Sequence, residues 1–596
     1  MTNKKIFWLL LAVSALTLIP FLGYEFNTKG EPREAIVAMT MLDSGNWILP
    51  LNNGDEMPYK PMFFHWLIAV VSLFWGEVTE FSSRIPSAVA LVALVATTFA
   101  FFARRGRRLQ ALVAAVIVLT CMEVHRAGGN CRVDMVLTAL SVGASCLLYR
   151  WWERGMKQMP WLAIVLMSAG VLTKGPVGAL IPCLVMGVFM LLKGVKFLRA
   201  LILMMAACLL SCVVPALWYV AAYMQGGEKF LDLVYEENIG RMTNTMGYDS
   251  CVEPWWYPTM TVVYGMVPFT LLILMGLLTE SRLGKRLGSA FSREEGQNRF
   301  VSVCMRFYRW ITGLKDVNLY ALVTCVIILV FYSIPQSKRS VYLMPMYPFL
   351  AWFIAAYVVK LAERGRRVVR VYGHFLAGVA VLLLLAFAAL KLGLVPDSIF
   401  HGKHAAENIA MLHNLAEIEG LLPTFCIVFT TMTAVMWWAY YCRRNKQVTA
   451  QDAGYVLLLT IGIYLSVDGA YKPAALEAKS VKPIAAELQL NVLQPETEGV
   501  YEYIEAGEMA KGDPVHYFEL NFFLHNRIQN FKRQQPAHGY LLIGEEDAAK
   551  RLPEFQQQGY VFKQHYATDR RVSGQPLRVY HFTRMVPQFP AAALEE

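Results

Sequence analysis

The chain has 596 residues, of which 56% are hydrophobic and only 17% are charged, and its formal net charge is +11. This composition is too apolar for a soluble protein of that length and is typical of a membrane protein with many spans. Because the basic residues lie in short loops between apolar segments, the positive charge indicates membrane topology and contact with anionic lipids, and nucleic acid is excluded as a partner.

Along the chain, about 13 apolar segments approach the length of roughly 20 residues that a transmembrane helix needs. The first segment follows Lys4 and Lys5 and resembles a signal sequence. We expect it to be retained, because no small-residue cleavage site stands out and further spans follow. The shorter segment 62–76 is predicted to be an interfacial helix on the outer surface. The predicted spans are residues 6–23, 82–103, 109–124, 135–150, 161–172, 177–192, 200–223, 259–278, 317–333, 342–360, 371–394, 421–441 and 455–467.

Lys/Arg clusters fall in every second loop, as they do on the cytoplasmic side of a membrane protein. We therefore expect a cytoplasmic N-terminus and, after an odd number of crossings, a C-terminal part outside. The segments 161–172 and 177–192 are short, and a hairpin that does not fully cross is the alternative. The loops predicted to face outwards are 24–82, 124–134, 223–258 and 333–341.

The composition changes after Asp468, so residues 1–468 are predicted to form an all-α transmembrane domain and 469–596 a small extracytoplasmic α/β domain. In the second domain the pattern predicts helices over 479–490 and 545–557. It predicts strands over 500–504, 515–518, 540–543, 560–565 and 577–582. No phosphate-binding loop or acid/base pair stands out there, and we assign this domain no chemistry.

Two acids in the outward loops are candidate catalytic residues. Glu31 lies beside Arg33 at the start of a helix that begins with Pro32, and Asp134 follows Arg132 at the start of a span. Either carboxylate could orient or deprotonate a hydroxyl group. The alternative is that both acids only cap helices, an explanation that accounts well for the neighbouring Glu34.

Basic residues in outward loops are the rarer observation, because membrane topology disfavours them there. A single one is usually an anchor at the membrane surface. Several loops that each supply one or two indicate a shared anionic ligand at the interface, such as a lipid-linked phosphate. Glu237, Asn238 and Arg241 share one face if their segment is helical. The basic candidates are Arg33, Lys60, Arg132, Lys174, Arg241 and Lys338.

Neither the acids nor the cysteines have the spacing of a metal site. No carboxylate pair resembles the DxD arrangement that holds a divalent cation, which favours a metal-independent mechanism without a cofactor. Cys131 and Cys251 both fall in outward loops, where unpaired thiols are the simpler interpretation and a disulfide is the alternative.

In their order along residues 1–360, these motifs resemble the aminoarabinose transferase and protein O-mannosyltransferase group, multispanning glycosyltransferases of the GT-C class. The C-terminal α/β domain is likewise similar to that of bacterial aminoarabinose transferases. The motifs that carry the resemblance are Ser44-Gly45-Asn46-Trp47, Lys60-Pro61, the stretch from Glu80 to Ser87, Arg132-Val133-Asp134-Met135, Lys174-Gly175-Pro176, Glu237-Asn238-Ile239-Gly240-Arg241 and Ser333 to Lys338 with Tyr342 and Pro345.

The resemblance implies an inverting enzyme of the bacterial inner membrane. It moves a sugar from a polyprenyl-phosphate carrier to a lipid A, glycolipid or protein acceptor at the periplasmic face. Asp134 matches the acid of the second outward loop and Glu31 the Glu of the acidic Asp-Glu pair in the first, whereas Gly30 stands where relatives commonly have Asp. Tyr59 stands where aminoarabinose transferases tend to have a Glu before the Lys-Pro pair, and the stretch 251–253 contains no His, which they tend to have there. A metal held by those two groups is therefore not expected.

Two other functions fit a polytopic chain. A transporter or flippase of a lipid-linked glycan is the leading alternative, but such proteins place polar residues at the bilayer midplane, whereas here they gather at one rim. A non-catalytic assembly component, in which the C-terminal domain does the work, is the second. Truncation after Asp468 distinguishes an enzyme centred on the loops from such a scaffold.

Overall fold

The computed structural model describes residues 2–52, 56–58, 60–240, 252–279, 313–364, 367–402, 405–443, 450–494, 497–504 and 516–585. Up to Ser466 every regular element within these ranges is helical. The helices are Asn3–Leu16, Gly30–Ser44, Phe63–Trp75, Glu80–Phe102, Arg108–Thr120, Met122–Gly128, Val133–Glu153, Trp161–Lys174, Val177–Leu192, Phe197–Tyr235, Tyr257–Gly265, Phe269–Thr279, Asp316–Ser333, Tyr347–Glu363, Arg367–Lys391, Ala405–Glu417, Leu421–Arg443 and Ala450–Ser466.

The chain is a multi-pass membrane protein. Within the described ranges, nine helices are long and apolar enough to cross a bilayer, and eleven spans result if two strongly bent helix pairs count as one span each. The bends are 63° between Arg108–Thr120 and Met122–Gly128, and 99° between Tyr257–Gly265 and Phe269–Leu278. The predicted polytopic α-helical fold is confirmed, but the count of about 13 spans is not, because Trp161–Lys174 and Val177–Leu192 are each shorter than a full crossing.

Those two short helices form a tight hairpin. A Cβ atom added to Gly178 would lie 2.3 Å from the carbonyl carbon of Gly170, so the two helix backbones touch at this pair of glycines. Lys174 ends the first helix and Gly175, at φ +80°, reverses the chain. The Lys-Gly-Pro motif therefore places the ammonium group of Lys174 at the tip of a hairpin.

The first outward loop contains two helices. We call Gly30–Ser44 the first-loop helix; eight of its residues from Glu31 to Met39 are buried, including both of its first two glutamates. The segment predicted to be interfacial forms helix Phe63–Trp75, whose last residues Leu73 and Phe74 are 61% and 83% exposed. Exposed apolar side chains of this kind fit contact with lipid, and the position of the helix along the membrane surface stays a prediction.

The C-terminal part has a five-stranded mixed sheet with strands β1 (Val500–Tyr503), β2 (Ile528–Asn530), β3 (His538–Gly544), β4 (Tyr560–Val572) and β5 (Gln575–Arg584). The strand order is β2-β1-β3-β5-β4; β1 runs parallel to β2 and β3, and β5 runs antiparallel to β3 and β4. Short helices connect and cover the strands. They are Lys482–Asn491, Phe518–Phe523, Phe531–Gln534 and Glu545–Gln557; helix Lys472–Glu477 precedes them and contacts helix Ala405–Glu417.

The predicted strand over 515–518 is wrong. Glu502 of β1 accepts a hydrogen bond from the backbone N–H of Tyr517 at 2.9 Å and contacts the ring of His516, and a helix begins at Phe518. The side chains of His516, Tyr517 and Phe518 are all buried, which explains the apolar pattern, but their backbone does not pair with the sheet. The short strand β2, by contrast, carries only three residues and was not predicted.

The C-terminal domain packs directly on the first-loop helix. The rings of Phe522 and Phe26 meet edge to face at 4.9 Å, and Asn526 Nδ2 donates to Thr40 Oγ1 at 2.9 Å. Phe518 and Phe522 thus belong to the same buried core as the transmembrane helices. An aromatic pair of this geometry contributes about 0.5–1.5 kcal/mol beyond the area that it buries.

Candidate active site

Glu31 is the most deeply buried acid of the first loop and holds three chain segments together. Its Oε1 accepts from the backbone N–H groups of Asn27 and Thr28 at 2.8 and 3.1 Å. Its Oε2 accepts from Arg84 Nε and from the backbone N–H of Cys131, both at 2.8 Å. Burial raises the pKa of Glu31, but the charge and hydrogen bonds of Arg84 outweigh it and keep the pKa below the ordinary value.

Both oxygens of Glu31 are therefore occupied, and the carboxylate faces none of the pockets described below. The prediction that Glu31 and Asp134 meet at one cleft needs correction. Arg84 also donates to the carbonyl groups of Leu22 and Glu25 at 2.9 Å, so the Glu31–Arg84 pair fixes the loop that precedes the first-loop helix. This arrangement makes Glu31 a positioning residue.

Glu34, one helical turn further on, is the acid of this helix that faces a cavity. It forms a close ion pair with Lys60, lies 3.6 Å from Arg33, and its Oε2 is 2.9 Å from His65 Nε2. Burial alone raises the pKa of Glu34, but Lys60 and His65 hold it well below the ordinary value. The sequence interpretation of Glu34 as a simple helix cap missed this ion-pair cluster.

Asp134 lies in the first turn of helix Val133–Glu153 and forms a close ion pair with Lys174 at the hairpin tip. The ammonium group of Lys174 also lies 4.1 Å from the centre of the Tyr342 ring. Ser87 of the earlier helix Glu80–Phe102 holds the start of helix Val133–Glu153, since its hydroxyl accepts from the backbone N–H of Arg132 at 3.0 Å. Lys174 thus contacts two other predicted site residues, Asp134 and Tyr342.

Glu34 and Asp134 face the same small cavity, which we call the cationic pocket, with a volume of about 460 Å³. Five basic side chains and only two carboxylates line it, so it favours an anion. Its lining comprises Gly30, Arg33, Glu34, Lys60, Cys131, Arg132, Val133, Asp134, Lys174, Arg339, Val341 and Tyr342.

A larger cavity of about 1090 Å³, the aromatic groove, adjoins the cationic pocket. Lys60, Lys174 and Tyr342 line both, so the two cavities share one charged junction. Two residues of the predicted site, Glu237 and Asn238, line the groove, and Asn238 Oδ1 would be 3.0 Å from a Cβ atom added to Gly175. Most of the remaining lining is aromatic or aliphatic: Pro58, Pro61, Val177, Trp218, Tyr219, Phe230, Leu233, Val234, Phe331, Tyr332 and Pro335.

On the other side of Glu34 lies a third cavity, also of about 460 Å³, which we call the Phe518 pocket. The first loop contributes both acids and bases to it, and the C-terminal domain contributes the ring of Phe518, which lies 5.8 Å from the guanidinium group of Arg33. Its lining is Arg33, Glu34, Val37, Asn52, Glu56, Met57, Pro58, Lys60, His65 and Phe518.

One predicted cation, Lys338, lines none of the three pockets, and another, Arg241, is not among the described residues. Lys338 is buried and donates to the carbonyl oxygen of Glu253 at 2.8 Å, and its neighbour Arg339 lines the cationic pocket instead. Arg241 lies outside the described residues, as does Cys251, so the alternative Cys131–Cys251 disulfide falls there too. Cys131 itself is buried.

Within the part of the chain that the structure describes, no group of three or more His, Cys, Asp or Glu side chains could hold a metal ion. The metal-independent mechanism stays a prediction.

Comparisons with known proteins agree with this architecture. A family model described as dolichyl-phosphate-mannose-protein mannosyltransferase matches residues 59–219. The undecaprenyl phosphate-alpha-4-amino-4-deoxy-L-arabinose arabinosyl transferase of Pectobacterium carotovorum is 27% identical over 400 residues, 66% of each chain. The transferase of the same name from Shewanella sediminis is 22% identical and covers 90% of this chain and 93% of its own length.

The fold has a solved counterpart. The crystal structure of ArnT from Cupriavidus metallidurans, bound to undecaprenyl phosphate, superposes with a TM-score of 0.65 at 16% identity and covers 96% of this chain and 97% of its own. The chain therefore has the fold of that protein, helical membrane part and C-terminal domain included. The resemblance to the aminoarabinose transferase and protein O-mannosyltransferase group is confirmed.

Proposed function

We propose that this polytopic GT-C glycosyltransferase moves a sugar from undecaprenyl phosphate, or a similar polyprenyl phosphate, to an acceptor at the outer face of the bacterial inner membrane. The acceptor classes are lipid A, another glycolipid or a protein. With an N-terminus in the cytoplasm, the outward loops and the C-terminal domain, residues 469–596, lie in the periplasm.

The observation that carries the proposal is the junction of the cationic pocket with the aromatic groove. A polyprenyl phosphate joins one anionic group to a long apolar chain, and the two cavities offer the matching surfaces side by side. Lys60 and Lys174 lie at the junction, at the place that the phosphate has to occupy if the isoprenoid follows the groove. The named arabinosyl transferase relatives and the bound ligand of the Cupriavidus ArnT structure support this choice of donor.

The residues of the cationic pocket stabilise the leaving group. When the bond between the anomeric carbon and the phosphate oxygen breaks, its electron pair stays on the phosphate, and Lys60, Arg132, Lys174 and Arg339 surround the charge that develops. Asp134 fixes the position of Lys174 through their ion pair. Attack from the side opposite the phosphate inverts the anomeric centre.

Donor binding and transfer test the proposal separately. The protein in lipid nanodiscs should bind undecaprenyl phosphate, and Lys174→Met should weaken this binding at least tenfold, whereas Lys482→Met, on a half-exposed lysine outside the three pockets, should not. Mass spectrometry of lipid A, glycolipids and glycoproteins from cells with and without the chain identifies the product.

The transporter alternative gives a different result in the same experiment. A flippase changes the sidedness of a lipid-linked glycan and leaves every covalent bond intact. Wild-type protein that moves the carrier across vesicles and transfers no sugar to any envelope fraction therefore contradicts the proposal.

A further inference from the structure

Among the described acids that line the three pockets, only Glu34 lines two of them. It lines both the cationic pocket and the Phe518 pocket, so its carboxylate lies between the proposed site of the donor phosphate and a second, separate space. Asp134 lines only the first of these two, and Glu56 only the second. A group at this boundary can touch both reactants of a transfer.

The Phe518 pocket differs from the cationic pocket in charge. Its two carboxylates, Glu34 and Glu56, face the cations Arg33 and Lys60, with the ring of His65 beside them. The cations that both pockets share are already in ion pairs with Glu34. A second phosphate would meet the two carboxylates here, whereas a neutral hydroxyl-bearing molecule finds acceptors, the amide of Asn52 and the face of an aromatic ring.

Building on the proposed function, we propose that Glu34 receives the acceptor from the Phe518 pocket and that the group it receives is a sugar hydroxyl. The hydroxyl proton moves to the Glu34 carboxylate as the acceptor oxygen bonds to the anomeric carbon. The bond from that carbon to the phosphate oxygen breaks, and its electron pair leaves with the polyprenyl phosphate. Phe518 stacks on the apolar face of the acceptor sugar.

The role of Glu34 can be tested by moving its carboxylate to position 30, which is a glycine. Gly30 lies one helical turn before Glu34 and lines the same cationic pocket. A Cβ atom added there would have only Arg132 Nη1 within 4 Å, at 3.8 Å, so a side chain can start at this position without a clash and an aspartate would point its charge towards a guanidinium group. A carboxylate lost at position 34 can therefore be returned from the previous turn.

The experiment measures sugar transfer and undecaprenyl-phosphate binding in nanodiscs for Glu34→Gln, Glu34→Asp and the double variant Gly30→Asp/Glu34→Gln. Glu34→Gln should lower kcat by about 10²–10⁴-fold, the range of general base catalysis, and change the Kd of undecaprenyl phosphate less than threefold. Glu34→Asp should retain part of the activity, and the double variant should recover at least tenfold over Glu34→Gln.

The matched control is Glu80→Gln. Glu80 is a buried first-turn carboxylate paired with a lysine, Lys482 at 3.4 Å, but it lines none of the three pockets. This variant should transfer sugar at the wild-type rate. Full activity of Glu34→Gln overturns the proposal, because transfer then needs no carboxylate at position 34. Loss of folding or donor binding in Glu34→Gln, without recovery in the double variant, also overturns it, because Glu34 is then a structural residue.

The linkage in the product tests the class of acceptor. A sugar on a hydroxyl is an ordinary glycoside and survives mild acid, whereas a sugar on a phosphate is released by it. We expect an acid-stable product on a glycan; an acid-labile product, or one attached to protein, overturns the assignment of a sugar hydroxyl. If the wild type transfers no sugar from any polyprenyl phosphate, the proposed function fails first and the inference falls with it.

Discussion

The buried pair of Glu31 and Arg84 provides the sharpest test of the corrected site, because the sequence predicts catalysis for Glu31 and the structure predicts stability. We consider Glu31→Gln. The side chain keeps its shape but loses its charge, and one of the two oxygens becomes an NH₂ group that cannot accept a hydrogen bond.

The magnitude follows from the contacts. Oε1 also accepts from Arg84 Nη2 at 3.4 Å and so has three donors against two for Oε2. If the amide turns its NH₂ group towards the side with fewer donors, Arg84 Nε and the N–H of Cys131, both 2.8 Å from Oε2, lose their acceptor. Arg84 is 1% exposed and remains charged without its counter-ion. Removal of one partner from such a buried pair costs about 3–5 kcal/mol, and the orphaned hydrogen bonds are included in that figure.

A chain of 596 residues loses roughly 2.1 cal/mol/K of entropy per residue on folding, so about 3–5 kcal/mol lowers the melting midpoint by roughly 2–4 °C if it unfolds as one unit. The midpoint is measured from the protein that stays monodisperse after heating in one detergent. Glu80→Gln is again the comparison: its partner Lys482 is half exposed, and such pairs contribute about 0–1 kcal/mol.

Below its melting midpoint, Glu31→Gln should still bind undecaprenyl phosphate and transfer sugar at a rate per folded molecule within a few-fold of the wild type. A variant with the wild-type midpoint and no transfer would refute this reasoning and return Glu31 to a catalytic role.

Three further outcomes follow from the site. Asp134→Asn breaks the ion pair that positions Lys174 and should lower transfer of labelled sugar by about 10²-fold while the protein remains in the membrane; retained activity removes Asp134 from the mechanism. Phe518→Ala should raise the KM of the acceptor and leave donor binding unchanged; an unchanged acceptor KM argues against the Phe518 pocket as the acceptor site. His516 contacts Glu502 and lies 3.3 Å from Glu56, and although burial lowers its pKa, these acids raise it to about 10. Because the folded pKa is raised, its stabilisation is complete below about pH 6.5 and disappears as the pH rises through about 10, so His516→Gln should flatten the alkaline fall of the melting midpoint.

Sequence reasoning recovered the features that depend on neighbours along the chain. Apolar length predicted the helical membrane part, and the Lys-Gly-Pro motif pointed to Lys174, since a local reversal suffices to expose that side chain. Asp134 and Tyr342 were also identified, and the structure brings both to Lys174.

The errors concern contacts between distant segments. Arg84 lies 53 residues from Glu31, so the pattern around Glu31 could not reveal that its carboxylate is fully occupied. Lys338 and Arg339 are adjacent and carry the same charge, so the sequence does not distinguish them. In the folded chain Lys338 donates to the carbonyl oxygen of Glu253, and Arg339 lines the cationic pocket. One feature of the sequence could have pointed to Glu34: it lies one helical turn after Gly30, on the same helix face.

The docking of Phe518 and Phe522 on the first-loop helix has a consequence for how the enzyme matures. These two side chains are made late in synthesis, almost 500 residues after the helix that they cover. A ribosome-bound chain that has already inserted its transmembrane segments still lacks one wall of the Phe518 pocket. With the C-terminal domain on the periplasmic side, as proposed, the newly inserted protein has no complete Phe518 pocket, and so no complete acceptor site of the proposed kind, until that domain has folded against the first-loop helix.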